Sequence, residues 1–580
     1  MQTKFLPTTR EELQQRGWHQ LDVILVSGDS YIDSPYMGVA VIGRVLENAG
    51  FKVGIIAQPE VNSSSDITRL GEPRLFWGVS SGSVDSMVAN YTANKKKRRS
   101  DDYTPGGTNN RRPDRAVIAY ANLIRRFFKN TRPIVLGGME ASLRRLAHYD
   151  FWEDAVRRSI LLDAKADYLL YGMAEKSVLA FAHALAAGGN VRGLRGLCYL
   201  GKELPQDYLE MPSFEQVSKD KLFFIRMFHN FYQNNDPLTA RGLAQRHADR
   251  FLVHNPPEVG PSQPELDSYA EFPYQRAQHP YYEKQGKVKA LETIRFSINT
   301  HRGCYGECNF CSIAVHEGRT VNWRSEASIL KEAAQIASLP DFKGYILDVG
   351  GPTANMYGFE CALKLEKGAC RDKRCIYPLV CRGLKPNHQV QINLLRRLRQ
   401  IPGIKKVFIG SGIRYDLVLA DRTHGDQYIR EVAENHVSGQ LKVAPEHSEP
   451  AVLEKMGKPG TADLLEFKRR FDDYSRRAGK RQFLTYYLIA AHPGCGLEDM
   501  RRLKHFVSQE LHISPEQVQI FTPLPSTYSA LMYYTGLDPF TLKPLYVEKS
   551  FTGRENQKRM IVQGGKTRQR NGTHGHKIIK

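Results

Sequence analysis

The sequence predicts an α/β protein: a doubly wound parallel N-terminal domain, then a second unit of six β/α repeats. Three observations predict it. Apolar runs rich in β-branched residues alternate with helix-period segments between residues 21 and 187. The alternation resumes at residue 292 and continues for six further units. Many of the strand-like runs close on glycine-containing turns, the side of such sheets on which ligands bind.

Taken in order, LDVILVS (21–27) is a short apolar strand ended by the polar turn GDSYIDSP, and GVAVIGRVLENAG (38–50) has helical spacing and stops at Gly50. KVGIIAQ (52–58), LFWGVS (75–80), RPIVLGG (132–138) and ADYLLYG (166–172) read as further strands, with helical patterns at 114–129 and 174–187. In a parallel sheet Asp29, Asp33, Gly137, Gly138, Glu140 and Gly172 then stand at the carboxyl ends of strands. The charged run KKKRRSDDYTPGGTNNRRPDR (95–115) reads as a solvated loop or, alternatively, as a lid over those ends. The first domain is placed at 1–200. Residues 201–290, ending in the tyrosine- and proline-rich stretch 268–282, read as an extended linker packed on the second unit.

The second unit, 291–552, has strands expected at 293–300, 345–351, 406–412, 441–446, 483–491 and 518–525, with helical patterns between them. From 553 to 580 the chain carries eight Lys or Arg against one Glu, and a disordered basic tail is expected there.

Composition sets limits. With 41% hydrophobic and 10% aromatic residues the chain has material for sizeable cores. No run of 18 apolar residues and no signal-type leader occurs, so no membrane span is expected. Nine cysteines, mostly clustered, suit metal ligation in a reducing cytoplasm better than a disulfide framework. The net charge of +21 favours a polyanionic partner, RNA or DNA; the alternative is a basic enzyme with a small anionic substrate.

The chemistry concentrates in INTHRGCYGECNFCSIAVHE (298–317), where Cys304, Cys308 and Cys311 stand at C-x3-C-x2-C spacing. Three neighbouring thiolates can hold three corners of a cubane iron–sulfur cluster and leave one iron open. Gly303 and Gly306 let the backbone wrap closely around them. The competing readings are a zinc site completed by His301 or His316, or unrelated buried thiols.

Together with GGPTANMYG (350–358), GSGIRYDL (410–417), LKVAPEH (441–447) and MYYTG (532–536), this motif resembles the YgiQ family of radical SAM proteins, over about residues 17 to 560. The resemblance implies a partial (β/α)6 barrel with a 4Fe–4S cluster on the three cysteines and S-adenosylmethionine at the open iron. It implies reductive cleavage to methionine and a 5′-deoxyadenosyl radical, which abstracts hydrogen from an unidentified substrate. An electron donor such as flavodoxin or ferredoxin is implied as well. Carried over, Gly350 and Gly351 offer carbonyls to the methionine ammonium, although Pro352 stands where a carboxylate more commonly follows. Ser411 and Arg414 are expected at the ribose or the carboxylate, Glu446 and His447 at the same mouth, and His492-Pro493-Gly494 around the adenine.

The first domain resembles the cobalamin-binding type but lacks the D-x-H-x-x-G signature, so the fold is expected without cobalamin. A second set, Cys361, Cys370, Cys375 and Cys381, could bind zinc or an auxiliary cluster, or be loop thiols. Cys198 and Cys495 read as structural. The rival to an enzyme is a non-catalytic iron–sulfur or zinc protein that binds nucleic acid.

Overall fold

The computed structural model describes residues 5–371, 373–515 and 518–562. Five parallel strands build the first half of the N-terminal sheet: β1 (Val23–Ser27), β2 (Val53–Ala57), β3 (Phe76–Ser80), β4 (Ile134–Gly137) and β5 (Tyr168–Leu170). β1 lies between β2 and β3, and β4 and β5 follow outward, giving the order 2-1-3-4-5. Every residue of β1 is buried, as a strand covered on both faces must be. Strand alternation divides it: Ile24 and Val26 join the core under helix Ala116–Phe127, whereas Val23 and Leu25 face helix Gly38–Asn48.

The sheet does not stop near residue 200. It continues antiparallel through β6 (Leu197–Gly201), and then through β7 (Leu209–Met211), β8 (Leu243–His247) and β9 (Arg250–His254), in the order 7-8-9-6-5. The linker expected at 201–290 is therefore corrected over its first half. β8 and β9 form a hairpin whose polar, charged sequence hides its burial: of the strand residues only Arg246 and Arg250 are exposed, while Leu243, Ala244, Gln245, Leu252 and Val253 are buried. Further on, Ala277–Gln278 pairs with Ile32–Asp33, stitching the segment back onto the first domain. The charged run at 95–115 is exposed over Lys96–Ser100 and at Arg111, but it is pinned inward at Asp101 and Arg112. Arg112 is fully shielded, holding Asp29 at 2.8 Å and Asp101 at 3.0 Å over the carboxyl ends of β1 and β3.

The second unit contains strands β10 (Ser297–Asn299), β11 (Tyr345–Ile346), β12 (Asp348–Gly350), β13 (Lys406–Val407), β14 (Gln440–Glu446), β15 (Phe483–Ala490) and β16 (Gln519–Ile520). Every pairing among them is parallel: β10 with β12, β11 with β13, β14 with β15 and β15 with β16. A parallel bridge from Ile413 to Val443 joins the two halves. β11 and β12 are one strand interrupted at Leu347, so six sequential strands form an open arc. Helices Glu326–Ala337, Gln389–Arg399, Gly425–Asn435, Ala462–Arg477 and Leu497–Gln509 cover its outside. Their apolar faces meet the strands in one core that includes Ile298, Val349, Val407, Val443 and Leu488.

The tail departs from expectation over its first ten residues. Phe551–Ile561 is a helix whose Arg554 is fully buried, donating to the Ala93 carbonyl at 2.9 Å; Gln557 binds the Ala491 N–H at 2.8 Å. Such buried polar anchors carry no apolar signal in sequence. The remainder of the tail lies outside the described residues.

Candidate active site

The loop after β10 carries the three cysteines. Its path depends on residues that accept left-handed backbone: Gly303 at φ +86° and Glu307 at φ +44°. At Gly303 a Cβ would meet the Thr320 carbonyl oxygen at 2.2 Å, so the loop is drawn against the returning chain. Gly306 lies between the first two thiols. A Cβ there would sit 3.2 Å from Cys304 Sγ and 3.5 Å from Cys308 Sγ, and the Gly306 N–H donates to Cys304 Sγ at 3.3 Å.

Burial and the neighbouring thiols push the Cys304 thiol up to about 11 and Cys311 higher still. Grouped thiols that resist ionising alone are a donor set that a cationic centre would stabilise. No three His, Cys, Asp or Glu side chains among the described residues stand close enough to grip a single metal ion. A cubane attaches each cysteine to a different iron, so its ligands lie farther apart than those of mononuclear zinc. Neither histidine of the zinc reading faces the thiols. His301 binds the Thr353 carbonyl at 3.0 Å, and His316 turns to Ser142 of the N-terminal domain at 3.1 Å.

Arg414 leads from β13 to the cluster loop. Asp416 holds its Nε at 3.0 Å, and its backbone is clamped by Asn355, which accepts the Arg414 N–H at 2.8 Å. The other edge of the guanidinium, Nη1, donates a long hydrogen bond to Cys308 Sγ at 3.7 Å. Glu446, at φ +68° at the end of β14, is buried beside Arg414 and Lys458, and its carboxylate makes no hydrogen bond among the described residues. Burial raises its pKa, and Lys458 and Arg414 oppose that rise. Asp348 fixes the adjoining turn by accepting the N–H groups of Gly410 and Ser411, at 2.8 and 3.0 Å, and the Ser411 hydroxyl.

The glycine pair is differently employed. The Gly350 carbonyl accepts both the N–H and the hydroxyl of Thr300, at 2.7 and 3.2 Å. Gly351 presses on His301, where a Cβ would approach Nε2 at 2.7 Å. His447 turns from the mouth, its Nε2 3.5 Å from Cys495 Sγ. His492 is buried against Phe521 and shares a 2.6 Å hydrogen bond with Ser529. Burial lowers their pKa values to about 4 and about 3, so both are neutral near pH 7.

In the second cysteine set, as in the first, no three donors among the described residues stand close enough to grip a single metal ion. Cys361 and Cys381 flank Gly383, and Lys364 Nζ lies 3.8 Å from Cys375 Sγ. Their segment instead overhangs the mouth: Arg374 donates to the Glu307 carbonyl at 2.9 Å and to Asn309 Oδ1 at 2.7 Å, on either side of Cys308. Sequence reasoning left Arg374, Asn355 and Asp348 unassigned. Asn355 and Asp348 lie within or beside the GGPTANMYG stretch, which was a usable signal; Arg374 sits 66 positions from Cys308 and had none.

A family model described as Radical SAM N-terminal matches residues 5–297. The chain is 56% identical over 566 residues to a UPF0313 protein of Fusobacterium nucleatum subsp. nucleatum, covering 97% of this chain and 100% of that one. It is 49% identical over 561 residues to a UPF0313 protein of Thermotoga maritima, covering 96% and 98%. Among solved structures it is similar to the radical S-adenosylmethionine methyltransferase TsrM from Kitasatospora setae, whose structure has cobalamin and a 4Fe–4S cluster bound. That match has a TM-score of 0.50 and 17% identity over 93% of this chain and 84% of that one, a likeness of fold.

Proposed function

Because the chain belongs to the UPF0313 (YgiQ) family of radical SAM proteins, we propose that Cys304, Cys308 and Cys311 hold three irons of a 4Fe–4S cluster and that S-adenosylmethionine binds at the fourth. The observation that carries this is the placing of the Cys304 and Cys308 thiols around Gly306, with Cys311 near enough to feel both, at the carboxyl end of the barrel strands, the face on which barrel enzymes carry their chemistry. Held there by Cys304, Cys308 and Cys311, the cluster would supply the electron for reductive cleavage of S-adenosylmethionine and hydrogen abstraction from substrate.

The chain's own groups supply placement and charge. Glu446 offers a carboxylate without a hydrogen-bond partner among the described residues to the methionine ammonium, and Arg414, whose Nη1 reaches Cys308 Sγ, places positive charge beside the cluster site for the carboxylate. Gly350 and Gly351 shape the turn through close packing, and Ser411 stands beside them, 3.4 Å from where a Gly350 Cβ would lie. The overhanging insertion and the N-terminal domain shelter the site from water, as radical chemistry requires.

The test is anaerobic reconstitution with iron and sulfide, reduction by dithionite and assay for 5′-deoxyadenosine. Production that disappears when any of the three cysteines becomes alanine is expected. A fully iron-loaded protein that forms none would leave the non-catalytic iron–sulfur reading standing.

A further inference from the structure

Beside the cluster loop lies a cavity of about 500 Å³, the size of small-molecule sites. Loops following β10, β12, β14 and β16 wall it on the barrel side, and helix Lys221–Gln233 of the N-terminal domain closes it opposite. Glu307 and Asn309, the neighbours of Cys308, form part of its wall, so an occupant would sit within reach of the cluster site.

The charge in this wall is unevenly matched. Glu307 is taken by Arg319 at 2.6 Å, and Glu454 and Asp538 by Lys455 at 2.6 and 2.8 Å. Arg371, Lys373 and Arg374 are left without a carboxylate partner among the described residues. All three come from the insertion that overhangs the mouth.

The opposite wall is aromatic. Tyr528 packs 4.7 Å from Tyr232 and 5.0 Å from Phe540, and the Arg374 guanidinium lies 5.8 Å from the Tyr528 ring. Phe540 is 59% exposed, a large apolar ring left open at the rim. Cations whose charge meets no carboxylate among the described residues, although Arg371 and Arg374 donate to carbonyl and amide oxygens, beside an open aromatic shelf suit a ligand with a phosphate at one end and a flat ring at the other.

We propose that this cavity takes a nucleotide, either free or as one residue of an RNA strand, and presents it to the cluster site. The proposal rests on the radical SAM reading for its chemistry but not for its binding, so the two can fail separately. Binding is measured on the reconstituted protein by titration with nucleoside 5′-monophosphates and with a fluorescent single-stranded RNA. Nucleosides, inorganic phosphate and dextran sulfate serve as further arms, and 5′-deoxyadenosine formation is followed in parallel.

Monophosphates are expected to bind at least about tenfold more tightly than their nucleosides or phosphate, with affinity falling as salt rises. Replacing the exposed pair with Arg371→Glu and Lys373→Glu should weaken binding about tenfold or more and flatten the salt dependence. Phe540→Ala should cost about tenfold through lost stacking. RNA binding far above the monophosphates assigns the nucleotide to a strand; the reverse assigns it to the free pool. Failure of both arms at low salt overturns the proposal. So does dextran sulfate binding as tightly as RNA, or affinity indifferent to both sets of substitutions. Any of these leaves 5′-deoxyadenosine formation untouched.

Discussion

Two glycines in the cluster loop separate what backbone conformation costs from what close packing costs. Gly303 and Gly318 both adopt left-handed backbone, at φ +86° and +104°. At Gly318 an added Cβ meets nothing within 4 Å; at Gly303 it meets the Thr320 carbonyl oxygen at 2.2 Å and the carbonyl carbon at 3.0 Å. Gly318→Ala should therefore cost only the left-handed penalty, about 1–2 kcal/mol. Gly303→Ala adds a collision with main chain that no rotamer relieves. Overpacking of this kind costs about 1–3 kcal/mol more, for a total of about 2–5 kcal/mol. The displaced segment runs directly into Cys304, so iron binding should suffer with stability. The assay is guanidinium denaturation of the unloaded protein alongside iron per chain after anaerobic reconstitution. Gly318→Ala should load nearly normally, and Gly303→Ala should lose most of its iron. Equal stability and equal iron in the two variants would refute this account of the loop.

Other outcomes follow from the same contacts. Alanine at Cys304, Cys308 or Cys311 should each abolish the broad thiolate-to-iron absorption of the reconstituted protein; full iron loading in any one would remove that residue from the ligand set. Arg414→Met leaves the buried Asp416 carboxylate unpaired and should cost about 3–5 kcal/mol, with much of the loss recovered when Asp416→Asn is added; identical melting of single and double variants would count against the pair. The folded-state pKa values of His148, His247 and His447 are depressed to about 4 and that of His492 to about 3, against 6.5 when unfolded. The unfolded chain then binds more protons, so stability present above about pH 6.5 should fall toward pH 4, by up to about 1.4 kcal/mol per pH unit for each histidine. A flat denaturation midpoint across that window would contradict the burial of these rings.

Local pattern settled much of this molecule. Runs such as VILVS and GIIA are apolar on both faces and so announce buried parallel strands, and the helices from Gly38–Asn48 to Leu497–Gln509 carry their periodicity openly. The cysteine spacing within 304–311 is likewise legible, because ligands held by one tight loop must be near in sequence. What depended on the tertiary structure was contact between distant, polar segments. The hairpin of β8 and β9 extends the first sheet as two interior strands, packing Leu243 and Leu252 in one core and Ala244, Phe251 and Val253 in another, although its polar and charged residues mask that in sequence. Helix Phe551–Ile561 docks through Ile561 and through Arg554 and Gln557, whose burial rests on hydrogen bonds that a largely polar run does not announce. His447 and Glu446 are consecutive, yet the chain turns one into the core and leaves the other beside the cluster loop. Arg371, Lys373 and Arg374, which have no carboxylate partner among the described residues, became a feature only when folding set them in one cavity wall with Tyr528 and Phe540, over 150 residues away.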